Sequence, residues 1–116
     1  MDVTPYLENL RRMDRELRAA EVRRAEEART RLPGVVEVLV ALGARRVILF
    51  GSLRTGRLHD RSDIDVAVDG VPADRYWEAL WRCAEVAGRH VDLVLLSEAS
   101  DSLRERIAED GEVLHG

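Results

Sequence analysis

The chain of 116 residues contains no lysine, so its eighteen basic residues are all arginine. Arginine suits two-pronged pairing with phosphate and carboxylate better than lysine does, but genome composition alone also produces such a bias. Cysteine is nearly absent. The one thiol, Cys83, cannot form an internal disulfide, and between Trp81 and Ala84 it reads as part of a packed helix. No Cys/His spacing suits zinc. A basic surplus is missing too. The formal net charge is -4, which removes support for sequence-independent nucleic-acid binding. No apolar run approaches the ~20 residues that cross a bilayer. The first residues, Met1-Asp2-Val3-Thr4, lack the basic and apolar regions of a signal peptide. The expectation is a soluble cytoplasmic protein with neither a nucleic-acid nor a membrane partner.

What is present fits one small domain. Thr4-Pro5 reads as an N-cap followed by proline at the first helical position, where its missing N–H costs nothing. Leu7, Leu10, Met13, Leu17 and Ala20 recur at helical spacing and form one apolar stripe. Beyond Ala20 the helix turns to Arg and Glu. Two readings stay open: a helix packed along the domain, or an arm for self-association or for a partner. Leu32-Pro33-Gly34 predicts a break. It divides a helical arm, residues 1–32, from a domain, residues 33–116.

From Val35 the helical pattern resumes through Leu42, and Gly43 is placed to end it. Val47-Ile48-Leu49-Phe50 is apolar on both faces and suits a central strand. Ile64, Val66 and Val68 alternate with Asp65, Ala67 and Asp69, giving a strand with one apolar face. Pro72 to Gly88 predicts a helix with Trp77, Leu80, Trp81, Ala84 and Ala87 on one side. At that spacing the tryptophans read as core rather than as a base-stacking platform. Val91 to Leu96 predicts a third strand, Ser97 to Asp110 a capped helix, and Val113-Leu114 a short last strand. The fold class is α+β, close to α/β, with a small mixed β-sheet and packed helices.

The chemistry concentrates between Phe50 and Asp65. Asp63 and Asp65 lie two apart on a strand, so they share a face about 6.6 Å apart along the chain. Carboxylates held that way can share divalent cations, and Mg²⁺ takes a few carboxylates together with phosphate oxygens. A strand-initial Asp that merely caps a turn is the plainer reading of either one. Asp92 strengthens the case, because an acid inside an apolar strand is costly unless paired, protonated or bound to metal; the plainer reading is a strand-edge Asp that faces water or an arginine. If its strand lies beside 64–69, it joins the other two. Gly51-Ser52 supplies a close-approach turn and a hydroxyl donor for phosphate, and a short helix starting there would add free N–H groups. Arg54, Arg57 and Arg61 can neutralise developing charge, although loop arginines are more often simply solvated. His59 and His90 are general bases by residue type only.

Gly51-Ser52, the residues from Leu53 to Ser62, then Asp63-Ile64-Asp65, with Asp92 on a later strand, resemble the DNA polymerase beta-like nucleotidyltransferase superfamily, and within it the minimal nucleotidyltransferases. The resemblance covers about Val35 to Leu114. It implies that fold with an added N-terminal helix. It implies that Asp63, Asp65 and Asp92 bind two Mg²⁺ ions, with Asp92 also helping to activate the attacking hydroxyl. It implies that Gly51, Ser52, Arg54, Arg57 and Ser62 contact a nucleoside triphosphate, ATP. Relatives often read Gly-Ser-x-Ala-Arg-Gly; here Thr55 stands at the usual arginine. Small proteins of this type are similar to antitoxins that transfer AMP to a tyrosine of a HEPN ribonuclease toxin. The rival expectations are an antitoxin that neutralises by contact alone, and an enzyme acting on a small molecule such as an aminoglycoside.

Overall fold

The computed structural model describes residues 1–116. The chain forms α1 (Thr4–Ala41), β1 (Arg46–Phe50), a one-turn 3-10 helix (Ser52–Thr55), β2 (Ile64–Asp69), a second 3-10 turn (Ala73–Arg75), α2 (Tyr76–Ala87), β3 (Val91–Leu95), α3 (Asp101–Asp110) and β4 (Glu112–His115). The four strands form one sheet in the order β3-β2-β1-β4. β1 is antiparallel to β2 and β4, and β2 is parallel to β3, so the sheet is mixed.

Alternation fixes the two faces. Val47, Leu49, Ile64, Val66, Val68, Val91, Leu93 and Leu95 point to one side, where α1 and α2 cover them to form the main core. Ile48, Ala67 and Ile107 form a smaller cluster on the other side, under α3. Leu39, Leu49, Leu53, Leu58 and Ile64 are fully buried. Each such side chain contributes roughly 1.5–3 kcal/mol of transfer free energy. Leu53 and Leu58 matter most for the site, because they pin the start and the middle of the β1–β2 loop into the core.

The break expected at Leu32-Pro33-Gly34 does not occur. α1 runs through Pro33 as one helix of 38 residues, about 57 Å long at the standard rise. Pro33 forfeits one backbone hydrogen bond and crowds the preceding turn, a cost of ~3 kcal/mol. Packing outweighs it. Leu32, Val35 and Leu39 are buried, and Gly34 lies so close to Val86 of α2 that any Cβ there would overlap the valine side chain. The glycine serves a helix crossing, not a helix end. The first helix residue to enter the core is Ala25, well before the proline.

The N-terminal stripe does not pack along the domain. Leu7, Leu10, Met13 and Leu17 are all exposed, and the molecule is 64 Å long against 29 and 21 Å in its other dimensions. At the helix start the cap differs from the one expected. The Thr4 amide donates to Asp2 Oδ1 at 2.9 Å, and Thr4 itself is already helical.

The tryptophans are also not core. Trp77 and Trp81 are 76% and 68% exposed. The buried face of α2 is Ala79, Cys83 and Ala87, small residues that permit the close approach to α1. Cys83 is fully buried as expected, and burial pushes its thiol up to about 11. α3 begins at Asp101 rather than Ser97; the Ser100 hydroxyl caps it by accepting from the Leu103 amide. No helix is long and apolar enough to cross a membrane.

Candidate active site

Three strand ends meet at one rim of the sheet. β1 finishes at Phe50 and hands over to Gly51, β2 starts just after Asp63, and β3 starts just before Asp92. The register places Asp65 between Phe50 on one side and Asp92 on the other. Asp65 and Asp92 point to the face that α3 only partly covers, since Ile64, Val66, Val91 and Leu93 point into the main core.

Asp65 is half-buried, and its carboxyl is pushed up to about 6. Burial is the largest cause, followed by the charge of Asp92 and then that of Asp63. Asp63 and Asp92 are exposed. For Asp92 the strand-edge reading holds: β3 is an edge strand and the acid is exposed. Its weight comes from lying opposite Asp65.

Gly51 completes the centre. Its backbone has φ 73°, and a Cβ there would coincide with the Asp65 carboxylate. Only a residue without a side chain admits that acid to this position. Ser52 begins the one-turn helix, whose Thr55 hydroxyl donates back to the Ser52 carbonyl at 2.6 Å. The side chain at the usual arginine position therefore closes its own turn.

As they stand, no three acidic, histidine or cysteine side chains converge on one point as a ready ligand set. The donor chemistry still fits Mg²⁺, which takes carboxylate oxygens and keeps waters and phosphate oxygens as its other ligands. Exposed Asp63 and Asp92 are free to change rotamer toward Asp65. Like charge packed around a half-buried acid is relieved by a cation.

The loop residues divide. Arg54 is exposed and lies 3.9 Å from Glu112. Arg57 turns away from the carboxylates to α1, where its guanidinium meets Glu21 at 2.6 Å. His59 joins the same glutamate at 3.2 Å, and the intervening Leu58 amide donates to the Glu21 carbonyl at 3.1 Å. Ser62 is held through its backbone: its carbonyl accepts from Arg89 at 2.8 Å. Arg61 is exposed. His90 lies beside Asp63 and Asp92 along a groove on α2.

Two residues escaped the sequence argument. Arg89 donates to the carbonyls of His59, Asp60 and Ser62, fastening the loop before Asp63. An arginine ahead of a strand carries no signal of that role. Arg106 on α3 lines a cleft of about 390 Å³ with Gly51, Asp65 and Asp92. It lies far along the chain from the motif, so spacing gives no hint of it.

The family model for polymerase beta nucleotidyltransferases matches residues 41–116, the span that contains the glycine turn and the three acids. The chain belongs to this family. Most of α1 precedes the matched region. It is similar to the protein adenylyltransferase MntA of Shewanella oneidensis, with 37% identity over 73 residues. That match covers 60% of this chain and 52% of the relative, so it spans about half of the relative's length. Among solved structures, the chain resembles a toxin–antitoxin complex with AMP-PNP, at 31% identity and a TM-score of 0.65, over 71% of this chain and 70% of that one. It also resembles the complex of a tri-AMPylated Shewanella oneidensis HEPN toxin with its MNT antitoxin, at 26% identity and a TM-score of 0.62, over 77% and 72% of the two chains.

Proposed function

We propose that this nucleotidyltransferase moves AMP from ATP to a hydroxyl of a partner protein, a tyrosine of a HEPN toxin, and so acts as a cytoplasmic antitoxin. The observation that carries the reading is Asp65 paired with Asp92 across β2 and β3, beside a Gly51 that leaves room for the acid. The relatives named above support the acceptor class, being an adenylyltransferase and an AMPylated HEPN toxin with its antitoxin.

Asp63, Asp65 and Asp92 would hold two Mg²⁺ ions. When bound, such ions neutralise the triphosphate and favour in-line displacement at phosphorus. Gly51 brings backbone close to the triphosphate and Ser52 adds a hydroxyl. Arg106, and Arg54 at longer reach, offer positive charge from the cleft wall. Exposed Asp92, beside the half-buried Asp65, takes the proton from the acceptor hydroxyl. Arg57 acts on the loop through Glu21 rather than on the nucleotide.

The test is incubation with α-labelled ATP, Mg²⁺ and the product of the adjacent gene. Label on that partner is expected. If the folded protein binds the partner yet never labels it, the reading fails. The exposed stripe on α1 and Thr55 at the usual arginine position favour a second reading, neutralisation by contact. Replacing Asp63, Asp65 and Asp92 together by Asn separates the two: undiminished neutralisation supports contact, and loss with binding retained supports transfer.

A further inference from the structure

Trp77 and Trp81 have no part in the fold's core, because the side of α2 that packs inward is Ala79, Cys83 and Ala87. Together with Leu80 they wall a groove of about 500 Å³. The far wall is Asp63, His90 and Asp92. Two large exposed indoles cost solubility without stabilising this domain, and such patches mark places where something docks. Trp77 is not free to wander: it packs edge-on against the Tyr76 ring, 5.3 Å between centroids at 79°. The Tyr76 hydroxyl in turn donates to the Leu93 carbonyl at 2.8 Å.

Two clefts therefore meet at Asp92. One holds Gly51, Asp65 and Arg106; the other holds the tryptophans. Gly51 follows β1, whereas the indole groove lies on the β3 side, so the two flank Asp65 from opposite directions along the sheet. In-line displacement requires the attacking and leaving oxygens on opposite sides of phosphorus. If the leaving pyrophosphate is held at Gly51-Ser52, the attacking hydroxyl arrives from the tryptophan side.

We propose that the Trp77–Trp81 groove is the acceptor subsite, and that it selects a phenolic side chain presented by a partner polypeptide. This rests on the nucleotidyl-transfer reading above and names the recognition element for its acceptor. Indole walls favour an aromatic ring in offset or edge-to-face contact. Asp92 at the groove's end meets the hydroxyl, which a serine or threonine on the same backbone is too short to bring there. In the transfer the phenol O–H gives its proton to a carboxylate. An O–P bond forms to the α-phosphorus of ATP, the bond from that phosphorus to the bridging oxygen breaks, and pyrophosphate leaves with the electron pair.

The experiment titrates N-acetyl-tyrosinamide into the full chain with Mg²⁺ and AMP-PNP, following the two indole N–H resonances by NMR. The same probe with α-labelled ATP then reads transfer, against N-acetyl-serinamide. Both indole signals should shift with the tyrosine probe and not with the serine one. W77A/W81A should lose about tenfold or more in tyrosine transfer, hold AMP-PNP affinity within about twofold, and recover much of the transfer as W77F/W81F. Unmoved indole signals overturn the proposal. So does a fall in AMP-PNP affinity in the alanine variant, which would give the groove to the adenine base. Shifts that track protein concentration without any probe would make it an interface between copies, also overturning it. Indole shifts with label reaching neither the probe nor the product of the adjacent gene leave the phenol site standing and sink the transferase reading instead.

Discussion

Gly51 and Asp65 share one volume: the space a side chain would fill at the first is filled by the carboxylate of the second. The glycine of the Gly-Ser turn thus does more than let backbone approach phosphate; it seats the central acid. Gly51→Ala would displace that carboxylate and also force a side chain onto φ 73°, a strain of ~1–3 kcal/mol. The expected result is a folded protein by circular dichroism with transfer reduced ~100-fold or more. Activity near wild type would refute the seating role.

Asp65 sits half-buried between two like charges, so it should respond to a divalent cation. At an Mg²⁺ concentration one hundred times its dissociation constant, the folded state should gain ~2.7 kcal/mol. That appears as a rise in the thermal midpoint over an EDTA control. Asp65→Asn relieves the charge crowding, so the variant should be more stable than wild type without metal and lose most of the response to Mg²⁺. An unchanged response would place the ion elsewhere.

Glu21 ties Arg57 and His59 to α1, and its carboxyl is held below the usual range, first by the Arg57 hydrogen bond. A depressed folded value means the clamp contributes fully above the unfolded value of about 4.5. That contribution is lost as pH falls through the lower folded value. Glu21→Gln should flatten this part of the stability–pH curve and speed hydrogen exchange at the Leu58 amide. Equal exchange in both proteins would show that Arg24, which donates to the Leu58 carbonyl at 3.4 Å, and Arg89 hold the loop without the glutamate.

Pro33 and Gly34 sit side by side in α1 with opposite roles. Pro33→Ala restores a helical N–H and should stabilise the protein by up to ~3 kcal/mol in urea unfolding. Gly34→Leu drives a side chain into Val86 and should destabilise it by ~1–3 kcal/mol. A stabilising Gly34→Leu would mean that the helices separate freely.

Arg106 faces the same cleft as Gly51 and Asp65 and makes no ion pair there. If it supplies charge that Thr55 cannot, Arg106→Ala should raise KM for ATP by ~10-fold with a smaller change in kcat. A change confined to kcat would assign it to the transition state instead.

The strands were legible because alternation is local: Ile64, Val66 and Val68 name their own face. The Asp63–Asp65 spacing and the Gly51-Ser52 turn were legible for the same reason. Their partner Asp92 was visible, but its burial stayed open between an enclosed acid and a strand-edge one, since nothing in Val91 to Leu96 says that the strand lies at an edge. Helix periodicity located a face on α2 without saying which one goes inward. Size decided that: Ala79 and Cys83 permit the crossing over Gly34, and tryptophans do not. Pro33 failed as a breaker because local propensity yields to tertiary packing. Arg89 and Arg106 were invisible because their partners are brought to them only by the fold.

Cys83 gives the chain a built-in timer. The thiol lies on the inward face of α2 with no exposed surface, and its raised value keeps it protonated through neutral pH. An alkylating reagent can therefore reach it only when α2 lifts from α1 and the sheet. The rate of that single modification reports how often the two-helix layer opens, with no label added and no second cysteine to confuse the count.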